Sequence, residues 1–284
     1  MRVHHLNCAS MCPPGGSLMT GEGSIRTRAT MVCHCLLVEG PRGLILVDTG
    51  LGAEDLRAPA QRLGTMFVAG LKPRLDMEET ALRQVERLGF KAEDVRDVVL
   101  THLDLDHAGG LSDFPGAKVH VYGAEHAAAM QPPTWQERMR YRAVQWAHGP
   151  DWAPAPAPAG EPWFGFACVR DLPGLPPEVL LVPPPGHSRG HCAVAVRGDR
   201  GWLLHAGDAY LFRGEMDPDG RRCPLGLELF QQFAQVDGDA RLANQERLRV
   251  LAGTHRGEVT VMCAHDPVEF EQLRAAAAAP RAVA

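Results

Sequence analysis

The chain has 284 residues, of which 45% are apolar, and this is enough to bury one large hydrophobic core. No change in composition divides the chain, so we predict a single domain over residues 1–284. The formal net charge of -5 argues against a general affinity for nucleic acid or for acidic membrane surfaces. No stretch approaches the roughly 20 apolar residues of a membrane span, and the N-terminus lacks the apolar run of a secretory signal, so we expect a cytoplasmic protein.

Hydrophobic patterning predicts strands and helices in alternation along the chain. The strands are predicted at residues 32–38, 44–47, 95–100, 118–122, 179–182, 193–196, 202–205 and 259–263. The helices are predicted at residues 78–88, 124–130 and 239–251. This order favours an α/β domain built in layers, with two sheets inside.

The first predicted strand contains the run Cys33-His34-Cys35, which has the look of a metal cluster. Structural zinc sites usually add a second, matching pair of cysteines, and this sequence has none. Side chains alternate faces along a strand, so Cys33 and Cys35 would share one face and His34 would take the other. We therefore interpret the run as half-buried side chains of a strand.

Residues 131–185 differ from the rest, because they hold four of the five tryptophans and many of the prolines. Residues 153–158 alternate alanine and proline, which is typical of a stiff extended spacer and not of a packed element. The aromatic side chains of this insertion could form a second layer of core, or they could wall a substrate pocket. The two interpretations are compatible. The alanine-rich tail, residues 274–284, is predicted to fray.

Four potential metal ligands, His102, Asp104, Asp106 and His107, fall within six positions directly after a predicted buried strand. A loop at the end of a strand lets consecutive side chains converge on one point. Charges placed there would be costly if unpaired, and a divalent metal removes that cost. An acidic surface turn is the alternative, but two histidines and two aspartates at this spacing favour a metal site.

Three further segments place a histidine or an aspartate at the end of a predicted strand, where ligands of a shared site usually lie. They are Pro185-Gly186-His187-Ser188-Arg189-Gly190-His191, Gly207-Asp208 and Ala264-His265-Asp266-Pro267. Each segment alone is equally consistent with a capping aspartate or a surface histidine. In this order, and together with residues 102–107, they resemble the signatures of a known family.

That family is the metallo-β-lactamase superfamily. Its motif His-x-His-x-Asp-His is matched by His102, Asp106 and His107, and its first signature by Leu46-Val47-Asp48-Thr49-Gly50. The loop at residues 185–191, Gly207-Asp208 and His265 match its later signatures. The resemblance implies an α/β fold, the four-layer αββα sandwich, with the site at the rim of the two sheets.

The resemblance also implies a site for two divalent metal ions. Its ligands would be His102, Asp104 and His191 for one metal, Asp106, His107 and His265 for the other, and Asp208 as the bridge. Asp48 and His187 would not bind the metals and would instead orient the ligands. Asp104 stands where the family motif has its second histidine. Because its oxygen is a harder ligand than imidazole, manganese or iron are alternatives to zinc.

In such a site, a water between the two metals becomes the nucleophile that attacks an ester or lactone carbonyl, and Asp106 would carry the proton to the leaving oxygen. The run Gly207-Asp208-Ala209-Tyr210 is similar to acyl-homoserine lactonases, in which a tyrosine helps to polarise the lactone. Tyr210 is the candidate for that role, and a packed aromatic side chain is the alternative.

We therefore expect a lactone or ester hydrolase that acts on a small molecule. The alternatives are a thioester hydrolase of the glyoxalase II type and a catalytically weak, ligand-binding member of the same fold, for which Asp104 is the reason. The aromatic insertion is suited either to a hydrophobic substrate arm or to a homodimer contact.

Overall fold

The computed structural model describes residues 1–279, which form ten strands and eleven α-helices. The strands are β1 (Val3–Met11), β2 (Met31–Gly40), β3 (Gly43–Val47), β4 (Val95–Val99), β5 (Lys118–Tyr122), β6 (Asp151–Ala155), β7 (Val179–Val182), β8 (Ala193–Gly198), β9 (Gly201–His205) and β10 (Val259–Met262). The helices are α1 (Gly16–Thr20), α2 (Ala53–Arg57), α3 (Pro59–Arg62), α4 (Thr65–Leu71), α5 (Ala81–Arg87), α6 (Leu105–Ala108), α7 (Gly123–Met130), α8 (Trp135–Arg140), α9 (Leu225–Ala234), α10 (Gly238–Thr254) and α11 (Pro267–Ala278).

The strands form two mixed sheets. The six-stranded sheet has the order β1-β2-β3-β4-β5-β6, and the four-stranded sheet has the order β10-β9-β8-β7. In the first sheet β1, β2 and β3 are antiparallel, and β3 to β6 are parallel. In the second sheet β10 runs parallel to β9, and the other pairs are antiparallel.

Alternation of side chains along the strands produces the layers. Leu36 of β2 faces the second sheet and belongs to the same buried cluster as Val194 of β8. Its neighbour Leu37 faces the opposite side and packs in the cluster that contains Val85 of α5. Leu248 of α10 belongs to the cluster on the outer face of the second sheet. Helices therefore cover both outer faces, and the predicted four-layer αββα sandwich is confirmed.

Every predicted strand and helix is present, with ends that differ by a few residues. The prediction for residues 153–158 was wrong in part, because β6 pairs in parallel with β5 along its whole length. β6 lies at the edge of its sheet, where Pro154 costs no ladder hydrogen bond. Within residues 1–279, no helix is both long enough and apolar enough to cross a membrane.

Within the described residues, helix α11 continues to Ala278, into the tail for which fraying stays a prediction. Asp266 begins this helix by accepting hydrogen bonds from the backbone N–H groups of Val268 and Glu269, and Pro267 takes the first helical position. Residues 280–284 lie outside the described part of the chain.

Candidate metal centre

Loops at the ends of strands bring the predicted site residues to one rim of the sandwich. His102 follows β4, Asp208 follows β9 and His265 follows β10. His187 lies in the loop between β7 and β8, and His107 lies in the short helix α6. Apart from His102 and His107, these positions are far apart in sequence, and they converge because the ends of strands from both sheets meet at this rim.

A first group of donor atoms consists of His102, Asp104 and His187, whose ligand atoms all lie within 4.8 Å of one another. The Oδ2 atom of Asp104 is 3.4 Å from Nε2 of His102 and 3.1 Å from Nε2 of His187. Nε2 of His102 is buried and has no hydrogen-bond partner. A buried polar atom without a partner is costly, and a bound cation would satisfy it.

A second group of donor atoms lies around Asp208 and consists of Asp106, His107 and His265. The Oδ1 atom of Asp208 is 3.3 Å from Nε2 of His107 and 3.1 Å from Nε2 of His265. Nε2 of His265 is 3.8 Å from Oδ2 of Asp106. The Oδ2 atom of Asp208 is 3.4 Å from Nε2 of His187, in the first group. The same Oδ2 atom is 3.3 Å from Nε2 of His265, so Asp208 lies between the two groups and contacts members of both.

The charges of the site match a divalent cation. Burial alone would raise the pKa of Asp208, but His265 and His107 hold that pKa well below its ordinary value. Burial would likewise raise the pKa of Asp104, and Arg140 and His102 hold it well below the usual range. The buried carboxylates are therefore ionised, and imidazole with carboxylate donors is a set that suits zinc, manganese or iron.

Asp48 orients one of the histidines. Its Oδ2 atom is 2.8 Å from Nδ1 of His107, and its oxygens accept from the backbone N–H and the hydroxyl of Thr101, both at 2.8 Å. Nδ1 of His107 is thereby occupied, and Nε2 is left for the site. The backbone of Asp48 is left-handed, with a φ of 55°, a conformation that aspartate adopts more readily than most residues.

The two histidines of the loop at residues 185–191 have different neighbours in the structure. His187, which was predicted to orient a ligand without binding the metal, faces Asp104 and Asp208. His191, predicted as a ligand, has Nε2 2.9 Å from the backbone N–H of Asp208 and Nδ1 3.2 Å from the carbonyl oxygen of Pro184. Both ring nitrogens of His191 contact the backbone here, and its ring centroid lies 5.2 Å from that of His102, so it packs directly against the first group of donor atoms.

Close packing against His191 also explains why position 207 is a glycine. Gly207 has a φ of 53°, and a Cβ there would lie 2.6 Å from Nε2 of His191. Any other residue would push this ring away from the backbone that it supports.

The structure does not bring Tyr210 to the site. Its side chain is fully buried, and its hydroxyl donates to the carboxylate of Glu269 on α11, 3.1 Å from each oxygen. Tyr210 is not among the residues that line the cavity described below. This placement favours the alternative interpretation of Tyr210 as a packed aromatic side chain.

Glu125 of α7 is a site residue that the sequence did not reveal. It is fully buried, and its Oε1 atom accepts from the backbone N–H of Leu103 and from the hydroxyl of Tyr141. Its Oε2 atom accepts from the Ser188 hydroxyl and from the Gly190 N–H. One carboxylate thus joins the loop after β4 to the loop after β7. No local motif marks such a residue, because its partners are distant in sequence.

Cys33 was interpreted as a half-buried strand residue, but it is almost completely buried, and its sulfur lies within 4.8 Å of donor atoms of Asp106 and His265. Burial, followed by the charge of Asp106, raises the pKa of this thiol. His34 points elsewhere, with Nε2 2.8 Å from Nδ1 of His5. The predicted alternation therefore holds, and it directs Cys33 towards the second group.

A cavity of about 870 Å³ opens above the two groups, and Asp104, Asp106, His187, Asp208 and His265 form part of its lining. Most of the remaining wall is apolar, and it includes Met11, Met31, Leu63, Phe67, Met139 and Phe230. This size is within the range for sites that enclose a small molecule.

Both interpretations of the insertion apply, to different parts of it. Trp135 and Arg140 of α8 line the cavity. Trp146, Trp163 and Phe166 are buried in the core. The insertion therefore supplies part of one wall of the cavity and also contributes side chains to two of the buried clusters.

A two-sheet sandwich with buried histidines and aspartates at its rim defines a class of metal-dependent enzymes, and comparison with known proteins agrees. A profile of the metallo-beta-lactamase superfamily matches residues 29–252. A probable metallo-hydrolase of Mycobacterium tuberculosis is 43% identical over 275 residues, which is 96% of this chain and 83% of the relative. This chain belongs to the metallo-β-lactamase superfamily and is a metal-dependent hydrolase.

More distant similarity extends to lactonases. An N-acyl homoserine lactonase of Bacillus cereus is 24% identical over 197 residues, covering 67% of this chain and 71% of the relative. The crystal structure of a B. thuringiensis AiiA mutant with N-decanoyl-L-homoserine bound at its active site superposes with a TM-score of 0.70. That structure is 20% identical and covers 95% of each chain, so it establishes the similarity of the fold.

Proposed function

We propose that this hydrolase cleaves a lactone or ester whose acyl arm is apolar, using two divalent metal ions. The observation that carries the proposal is the arrangement of the cavity. Its lining includes members of both donor groups, and much of its wall is apolar. These members are Asp104, His187, Asp106, His265 and Asp208. A carbonyl near the floor would leave its hydrocarbon arm against that wall, where burial contributes about 25 cal/mol per Å².

His102, Asp104 and His187 would hold one metal, and Asp106, His107 and His265 the other, with Asp208 shared between them. Bound there, the two metals would supply Lewis acidity at the carbonyl and would lower the pKa of a water molecule. Asp106 lines the cavity and is the carboxylate that we assign to carry a proton to the leaving alcohol oxygen.

The comparisons support the substrate class at a distance. The lactonase relatives are named for N-acyl homoserine lactones, and the superposed AiiA structure contains N-decanoyl-L-homoserine. A ten-carbon acyl arm is a reasonable occupant for an apolar wall of this size, so we extend that chemistry to this chain.

The test is a hydrolysis panel on purified chain loaded with zinc, manganese or iron. The panel contains N-butanoyl- and N-decanoyl-homoserine lactone, p-nitrophenyl decanoate and a decanoyl thioester. We expect turnover of the lactones or the oxygen ester, faster with the longer acyl chain. Turnover of the thioester alone would favour the glyoxalase II type, and tight binding without turnover would favour a ligand-binding role.

A pair of variants connects the activity to the site. Asp208→Asn should lower kcat/KM by about 10- to 100-fold, the range typical of replacing a residue that supports a metal site. Asp239→Asn, at an exposed position near the start of α10, is the matched control and should leave kcat/KM unchanged. Equal activity of both variants would contradict the proposal.

A further inference from the structure

Arg140 is a nearly buried cation at the floor of the cavity. Its side chain is 9% exposed, and it belongs to α8, in the segment that forms one wall. Its Nη1 atom donates to the carbonyl oxygen of His187 at 3.0 Å, and its Nη2 atom donates to that of Ala234. Its Nε atom is 3.5 Å from Oδ1 of Asp104. Two of its nitrogens thus donate to backbone carbonyl oxygens. The third forms an ion pair with Oδ1 of Asp104, which is buried and accepts no hydrogen bond within the described residues. Arg140 is therefore placed to position protein groups.

The two oxygens of Asp104 have different neighbours. Oδ2 faces the site, 3.4 Å from Nε2 of His102 and 3.1 Å from Nε2 of His187. Oδ1 faces away from the histidines, towards Arg140. The carboxylate is thus held by its ion pair so that a single oxygen is directed at the first donor group.

The pair has a simple charge balance. Asp104 stands where the motif His-x-His-x-Asp-His has a histidine, and a carboxylate there adds a negative charge that a neutral imidazole would not. The guanidinium of Arg140 cancels that charge at close range in a buried setting, where unpaired ions are costly. Carboxylate and guanidinium together are neutral and present one donor atom, as an imidazole does.

We propose that Asp104 and Arg140 act as one unit that replaces the second histidine of the motif, with Asp104 as the ligand and Arg140 as its positioning residue. This inference rests on the metal centre of the proposed function, but it does not depend on the substrate. It predicts that the two residues are coupled, so that neither is replaced well without the other.

The experiment is a double-mutant cycle on metal affinity. Zinc is titrated into metal-free protein against a competing chelator, for wild type, Asp104→His, Arg140→Gln and the double variant. Asp104→His alone leaves Arg140 unpaired beside a neutral ring and two cations. We expect its affinity for one of the two metals to fall by about 10- to 100-fold. Adding Arg140→Gln should restore at least about tenfold of that loss.

Arg142 offers a matched control for the charge. It also lines the cavity, but it donates to the backbone oxygens of Arg62 and Gln61. Arg142→Gln on the Asp104→His background should restore nothing. The inference is overturned if Asp104→His binds zinc as tightly as wild type, or if Arg142→Gln restores as much affinity as Arg140→Gln.

A second measurement covers the case in which Asp104→His does not fold. Arg140→Gln frees Oδ1 of Asp104, so the visible spectrum of its cobalt-loaded form should change, whereas that of Arg142→Gln should match wild type. Identical spectra for all three proteins would overturn the inference. A chain that shows the coupling and hydrolyses no substrate would refute the proposed hydrolase substrate class and leave this inference standing.

Discussion

Nε2 of His187 lies 3.1 Å from Oδ2 of Asp104, although the two residues belong to loops on different sheets. This contact completes the first group of donor atoms, and it is the reason why we propose His187, in place of the predicted His191, as the histidine of that group. The neighbouring His191 is held by the backbone at both ring nitrogens.

The two histidines should therefore respond differently to replacement. His187→Ala removes a donor, so we expect fewer metal ions per chain and little change in the stability of the metal-free protein. His191→Ala leaves the N–H of Asp208 and the carbonyl of Pro184 without their partner, which should cost about 1–3 kcal/mol of unfolding free energy. Mass spectrometry of bound metal and chemical denaturation would measure the two effects, and the reverse pattern would restore the ligand set predicted from sequence.

Replacing the carboxylate of Glu125 should lower the free energy of unfolding, because this group joins two of the loops that carry site residues. Glu125→Gln turns an acceptor of four hydrogen bonds into a group with one amide nitrogen, which faces N–H or O–H donors. We expect a loss of about 2–4 kcal/mol in unfolding free energy. Tyr141→Phe removes one of the four donors and should cost about 1 kcal/mol. Similar losses in both variants would show that Glu125 does not act as a joint between the loops.

The carboxyl of Glu269 should make stability depend on pH. Burial raises its pKa from 4.5 to about 7, against hydrogen bonds from Cys263 and Tyr210 that lower it. A raised pKa in the folded state means that the stabilising, protonated form is fully present below about pH 4.5 and is lost as the pH rises through 7.

Glu269→Gln should therefore gain stability relative to wild type between pH 5 and 8, by about 1–3 kcal/mol. Denaturation at the two pH values measures the gain. Glu271→Gln, exposed on the same helix, should gain nothing over this interval. A constant difference between Glu269→Gln and wild type at both pH values would contradict the assignment.

Local patterns were sufficient to predict much of the fold. The strands that precede His102, Asp208 and His265 are short apolar runs followed by a polar residue, and this pattern can be recognised without tertiary information. The position of a strand at the edge of a sheet cannot be predicted in this way. The alternating alanines and prolines around Pro154 are typical of a spacer, and only the strand order shows that β6 is an edge strand, where a proline is tolerated. Helix α11 was not predicted, because its alanine-rich second half has no regular alternation of apolar and polar residues.

The site was predictable as a set of positions but not as a set of contacts. The resemblance assigns His191 as a ligand and His187 as a supporting residue, whereas the contacts of His187 with Asp104 and Asp208 become visible only in the tertiary structure. Tyr210 lies close to Asp208 in sequence, yet its side chain enters the core. Arg140 comes from the insertion, outside every motif, so only the tertiary structure could reveal its contact with Asp104.

The most direct test of the two-metal account is anomalous diffraction from crystals of zinc-loaded protein. The account predicts two peaks, one contacting His102, Asp104 and His187 and the other contacting Asp106, His107 and His265, with Asp208 touching both. A single peak, or a peak bound by His191 in place of His187, would contradict it.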